Sequence, residues 1–211
     1  MSSSDELRAI ALAEFATAGY AGTSIHRIAA IAGLSKSSVL YHYASKESLL
    51  EAAIGPAIER MEQILETVAT EPLTARSRNE FIVAFVDFLL EHPLEVHTFI
   101  NQGKSLEDVP VIQRANDLVL RLATYFRSTL TSTEDAMRFG IALGGAAYML
   151  VTQESLQLAA APIEETRAAL ITIVTELLAP VAIVPQPIAE QPDVAQPIVE
   201  QSAINRPTEQ E

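Results

Sequence analysis

Apolar positions recur at spacings of three and four through most of this chain, the period of helices that each bury one face. Leu7, Ile10, Ala11, Ala13 and Phe15 set the first such face, and Gly19 fits its stop. Thr23 and Ser24 can cap a second helix that reaches Ala32, with Ile25, Ile28 and Ala29 facing inward. Gly33 suits the left-handed residue that ends it, and Ser35 can cap a short third helix over 36–43. Small Ala29 lets these two helices approach, and Val39 fills the angle between them. Two helices joined by a tight glycine-containing turn form a helix-turn-helix, here over 24–43.

Ser45 can cap a longer helix that carries Leu49, Leu50, Ala53, Ile54, Ala57, Ile58, Met61, Ile64, Leu65 and Val68, with a kink expected at Gly55-Pro56. Further helices are predicted at about 74–91, 111–130, 134–158 and 163–178, punctuated by Pro93, Pro110 and Pro162. No stretch alternates in the manner of a strand between turn signals, so the predicted class is all-α. From Pro180 onward the pattern stops. Six of the eleven prolines fall there, with a near-repeat of QPIAEQ at 186–191 and QPIVEQ at 196–201. Such a segment is expected to be a flexible or extended tail.

Composition adds bounds. With 49% apolar residues among 211, most of the chain should fold, and the absence of cysteine excludes disulfides, zinc–thiolate sites and thiol catalysis. The polar, acidic start is unlike a signal peptide, and the longest apolar run, 141–151, falls short of the ~20 residues of a membrane helix. A soluble, cytoplasmic protein without a membrane partner is the expectation. The net charge of −13 is unevenly spread. Residues 1–50 hold Arg8, Arg27, Lys36 and Lys46 against Asp5, Glu6, Glu14 and Glu47, so the remainder carries the entire excess. Only the N-terminal segment can approach a polyanion without strong repulsion, and the acidic body would orient that approach.

Residues 15–50 read FATAGYAGTSIHRIAAIAGLSKSSVLYHYASKESLL. Phe15, Gly19-Tyr20, Thr23-Ser24, Ile28-Ala29, Ala32-Gly33-Leu34-Ser35 and Tyr41-His42-Tyr43, followed by Lys46-Glu47 and Leu49-Leu50, fall in the register of the DNA-binding segment of the TetR family of bacterial regulators, which this stretch resembles. The chemistry agrees. A recognition helix presents short or planar polar groups at its N-terminal end to base edges in the major groove, and Lys36, Ser37 and Ser38 stand there with Tyr41 one turn on. Helix starts at Ser24 and Ser35 offer backbone donors to phosphate, and Tyr41, His42 and Lys46 are further phosphate candidates. The resemblance places His26 and Arg27 near the start of the second helix as base or phosphate contacts; Tyr43 reads rather as a core plug. Family members commonly carry tyrosine where this chain has Leu40, and a basic lead-in where this one is acidic. Those departures imply modest affinity and strong salt sensitivity.

Behind the reading head, the resemblance implies a larger helical domain that binds a ligand and dimerises. The expected division is 1–46 for the DNA-binding domain, 47–180 for the effector-binding and dimerisation domain, and 181–211 for the tail. Homodimerisation through the helices near 134–158 and 163–178 would pair two recognition helices on a palindromic double-stranded operator. Gly140, Gly144 and Gly145 lie in the first of these, where glycine costs roughly 1 kcal/mol against alanine, so close packing or a cavity wall is expected there. Phe81, Phe85 and Phe88 form a stripe that Phe99, Phe126, Phe139, Tyr125, Tyr148 and Met149 can join, either as ordinary core or as the wall of an apolar site. Gln102, Asn116 and Gln153 are its candidate polar groups.

Glu91, His92, Glu95 and His97 carry metal-ligand chemistry, but Pro93 breaks their helical spacing, and a helix end followed by a connecting loop is expected instead. No phosphate-cradling glycine loop, G-x-S-x-G or H-E-x-x-H occurs, so neither an enzyme nor a cofactor or metal is expected. The leading expectation is a ligand-released transcriptional repressor responding to a small, largely apolar effector. The alternative is a small-molecule or partner-binding helical protein that has lost its affinity for DNA.

Overall fold

The computed structural model describes residues 3–69, 74–127, 130–152 and 161–179, the Ser3 side chain excepted. The described elements are all helical: α1 (Ser3–Gly22), α2 (Ile25–Ile31), α3 (Lys36–His42), α4 (Lys46–Ala69), α5 (Ala75–Glu91), α6 (Pro93–Gln102), a 3-10 turn (Gly103–Leu106), α7 (Pro110–Phe126), α8 (Thr133–Thr152) and α9 (Ile163–Leu178). Residues 153–160, the expected end of the helix predicted over 134–158, and the whole tail from Pro180 lie outside the described residues, as does Gln153.

The head is built as its side chains dictate. Leu7, Phe15, Ile28 and Val39 have no exposed surface and are continuous with Leu49 and Leu50 of α4. Burying each stabilises the fold by roughly 1.5–3 kcal/mol. Gly19 leaves helical geometry at φ 77° and ψ 156°, breaking α1 near its end. Gly33 closes α2 at φ 68°; side chains other than glycine rarely adopt either conformation. Ser24 accepts from the Arg27 N–H and Ser35 from the Ser38 N–H, each capping its helix. Tyr43 ends α3 half-buried, its hydroxyl donating to the Ser4 carbonyl at 3.1 Å. It thereby ties the end of α3 to the start of α1.

Ser45 and Ser48 cap α4 reciprocally, each side chain accepting from the other's N–H at 2.9–3.0 Å. This helix runs without a break through Pro56. Pro93 corrects the sequence reading. It opens α6 at the first helical position, where a missing N–H has no cost, so the expected connecting loop is a ten-residue helix. Pro110 opens α7 in the same way. Two bidentate ion pairs strap the body: Arg114 of α7 to Glu62 of α4, and Arg167 of α9 to Asp87 of α5.

Candidate nucleic-acid interface and body cavity

On the head, the sequence-predicted residues divide into those held outward and those turned to other work. Lys36 and Ser37 are exposed at the start of α3, and Tyr41, one turn on, is 87% exposed. The hydroxyls of Ser35, Ser37 and Ser38 form a cluster, with Ser35 Oγ 3.0 Å from Ser37 Oγ and 2.8 Å from Ser38 Oγ. Leu34, Ser37, Ser38, Tyr41 and His42 border one shallow depression on this face. The His42 ring meets Tyr41 edge-on, with centroids 5.6 Å apart. His26 and Ser24 are exposed on the neighbouring helix start.

The cations are less free than their number implies. Arg27 is exposed but bonded to the Glu14 carboxylate, which raises the guanidinium's pKa above its ordinary value. Arg8 pairs with Asp5 in the same helix. Lys46 departs from its expected role as a phosphate contact. Its ammonium donates to the Tyr20 carbonyl at 2.7 Å and the Thr23 carbonyl at 3.0 Å, and lies 4.0 Å from the Tyr20 ring centroid. Partial burial lowers its pKa. Lys46 therefore fastens the start of α4 to the α1–α2 junction. Among the described Lys and Arg side chains of residues 1–50, Lys36 is the one with neither an ion-pair nor a hydrogen-bond partner.

Thr23 was expected only as a cap. It is buried, and its hydroxyl donates to the Gly19 carbonyl at 2.8 Å and can reach the Glu14 carbonyl at 3.1 Å. Its β-branched, hydroxyl-bearing position next to the cap was the one signal of this in the sequence.

The body contains a cavity of about 810 Å³, walled by α4, α5, α6, α7 and α8. Its size is that of a small-molecule site. Phe85, Phe88, Phe99 and Tyr148 line it, with Ile54, Ile58 and Met61 of α4 and Leu118 and Leu122 of α7 opposite. Phe81 and Phe126 do not. Both are fully packed behind the wall, their ring centroids 5.1 Å apart, because they face the core side of their helices. Asn116, Lys104, Glu95 and Glu107 supply polar atoms around the lining, and Glu95 is bonded to His92 at 3.3 Å.

Gly140 and Gly144 are exposed at the cavity's edge, and a Cβ on either would meet no described atom within 4 Å. No close approach to another described element requires them. Gln102 is also absent from the lining. Its amide turns toward α1, where it accepts from the Tyr20 N–H and donates to the Phe15 carbonyl at 2.6 Å.

Residues 7–53 match the family model described as bacterial regulatory proteins, tetR family. The chain is 32% identical over 110 residues to the HTH-type transcriptional repressor KstR2 of Mycolicibacterium smegmatis, a match covering 50% of this chain and 52% of that protein. It thus spans about half the length of that curated relative. In fold, it resembles the ketosteroid transcriptional regulator KstR2 of Mycobacterium tuberculosis, with a TM-score of 0.59 at 17% identity over 82% of this chain and 93% of that one. A TetR-family transcriptional regulator from Bordetella parapertussis gives 0.63 at 19% identity over 83% and 93%. Residues 7–53 thus resemble the tetR family of bacterial regulatory proteins, and the fold of the chain resembles those of the solved regulators.

Proposed function

We propose that this protein is a homodimeric transcriptional repressor that binds a palindromic DNA operator and releases it when a small, largely apolar effector enters the body. The observation that carries the reading is the outward-facing start of α3, where Lys36, Ser37 and Tyr41 stand exposed on a buried, glycine-closed frame. Lysine donates to guanine O6 and N7, and serine bonds either kind of base edge. Tyr41 and His42 serve the phosphate backbone, with Ser24, Ser35, Ser38, His26 and Arg27 around them. The division into a head over 1–46, a body over 47–180 and a tail over 181–211 belongs to the same proposal.

The cavity supports the effector. Phenylalanine and aliphatic groups provide most of its wall, and polar groups are few. The relative from M. tuberculosis is named a ketosteroid regulator, in keeping with a bulky apolar molecule. Exposed Met137, Ile141 and Met149 on α8, with Ile163 and Ile173 on α9, support a dimer face on those helices. The test is to select genomic fragments retained by the full chain at low salt, then screen apolar metabolites for release. A recurrent palindrome released by one compound class is expected; failure to retain any fragment would sink the repressor reading. Retained ligands without retained DNA would favour a binding protein that has lost its operator, a reading that the paired states of Arg8, Arg27 and Lys46 make specific.

A further inference from the structure

Gln102 sits where two parts of the molecule meet. Phe99, Ile100, Gly103 and Lys104, on either side of it, line the cavity, while its own side chain turns away toward the break in α1. That break removes Tyr20 from helical register, leaving its N–H without an ordinary helical acceptor. The Gln102 amide supplies the acceptor and, with its other half, donates to the carbonyl of Phe15. One amide thus bridges both sides of the break from 82 and 87 residues away. Glycine is called for at the break by its backbone, at φ 77°, and not by space, since a Cβ there would lie at an ordinary contact distance of 3.6 Å from Gln102 Oε1.

The same junction is gripped from the other side. Lys46 donates to the carbonyls of Tyr20 and Thr23, and Thr23 N–H and hydroxyl return to Gly19. Residues 19–23, the last turn of α1 beyond its break and the residue that follows it, are therefore a strap held by polar bonds, with Gln102 as its anchor on α6. An unsatisfied buried amide or carbonyl is costly, so the anchor holds firmly while its geometry is met and gives little once it is displaced.

We propose that Gln102 is a positioning residue that sets the reading head against the cavity wall, so that occupancy of the cavity reaches the head through this side chain as well as along α4. The inference rests on the proposed roles of head and cavity, but its test does not require knowledge of the operator or effector. The chain has no cysteine, so two can be introduced at exposed sites without competition: Ala44→Cys beyond the recognition helix and Asp117→Cys on α7. Spin labels at these positions report the head-to-body distance distribution by pulsed electron resonance in the full chain. The probe of the cavity is dodecanoate, with fluorescence displacement of anilinonaphthalene sulfonate reporting its binding.

With Gln102 intact, a narrow distribution that shifts on adding dodecanoate is expected. Gln102→Met, which matches the side chain in length but bonds neither group, should broaden the distribution and reduce the shift while dodecanoate affinity stays the same. Gln102→Glu keeps the acceptor for Tyr20 and should fall between the two; a graded response of this kind, with dodecanoate affinity unchanged, separates positioning from general loosening. If the Met variant keeps both the narrow distribution and the shift, Gln102 does not position the head. If dodecanoate fails to bind even the unsubstituted chain, the apolar-effector reading is what fails, and broadening in the Met variant alone still upholds the anchor.

Discussion

The head and the wall of the body's cavity use aromatic side chains in opposite ways. In the head, Phe15 is fully enclosed with Leu7, Ile28 and the start of α4, and the residues proposed to meet DNA lie outside that packed frame. In the body, Phe88 and Phe99 have protein on one side and the cavity on the other. The head is a rigid platform whose chemistry is on its surface; the body keeps unfilled space whose chemistry is inside. Rigidity suits reading a groove of fixed dimensions. Unfilled space forfeits contacts, a cost that ligand binding can recover.

Truncation tests that contrast most strongly. Phe15→Ala should destabilise the protein by about 3–5 kcal/mol, as for a fully packed aromatic residue, and abolish DNA retention. Phe88→Ala removes a side chain already facing a void, so it should cost distinctly less while changing which apolar ligands bind. Chemical denaturation of both variants checks this; equal losses would mean that the cavity wall is packed as tightly as the head.

A smaller effect is expected at the surface of the head. Lys36→Ala should weaken binding to a selected fragment by about 1–3 kcal/mol, with the loss concentrated at one base position in a titration of fragment variants. Lys46→Met should act on folding, destabilising the chain by about 1–2 kcal/mol through two lost, partly exposed charged hydrogen bonds. Its measurement is a thermal or denaturant midpoint.

The smallest effect concerns acid stability in the body. Arg167, bonded to Asp87, holds that carboxyl below its ordinary value. A depressed folded-state value stabilises the protein above the unfolded value and is lost as pH falls through the folded one. The natural chain should therefore lose this contribution on acidification below about pH 4, and Asp87→Asn should flatten that part of the stability–pH curve. Because both partners are about a third exposed, the change should be modest.

The head was legible in the sequence because its determinants are local. Ser24, Gly33, Ser35 and Val39 each fix one turn of chain within twenty residues, and each stands in the structure where its spacing placed it. The cavity was legible only in part. Helical spacing grouped Phe81, Phe85 and Phe88, but which of them faces a void depends on α7 and α8, far away in sequence. Phe81 and Phe126 turned inward for that reason. Gln102 was read as a polar group for a ligand, since nothing near it in sequence announces the broken helix 82 residues away that its amide completes. Lys46 shows the same limit: its charge was visible, but the carbonyls that absorb it were not. Helix α6 was hidden by a proline that opens a helix as readily as it ends one.

The most direct test compares Lys36 and Lys46, the two lysines of the head, on one selected fragment across a salt series. Phosphate and base contacts by a free lysine release counterions, so Lys36→Ala should lower the slope of log affinity against log salt by about one. Lys46→Met, lacking a lysine that is already spent on carbonyls, should leave that slope unchanged. A fall in slope for Lys46 with none for Lys36 would contradict the account, because the DNA would then be meeting the wrong face of the head.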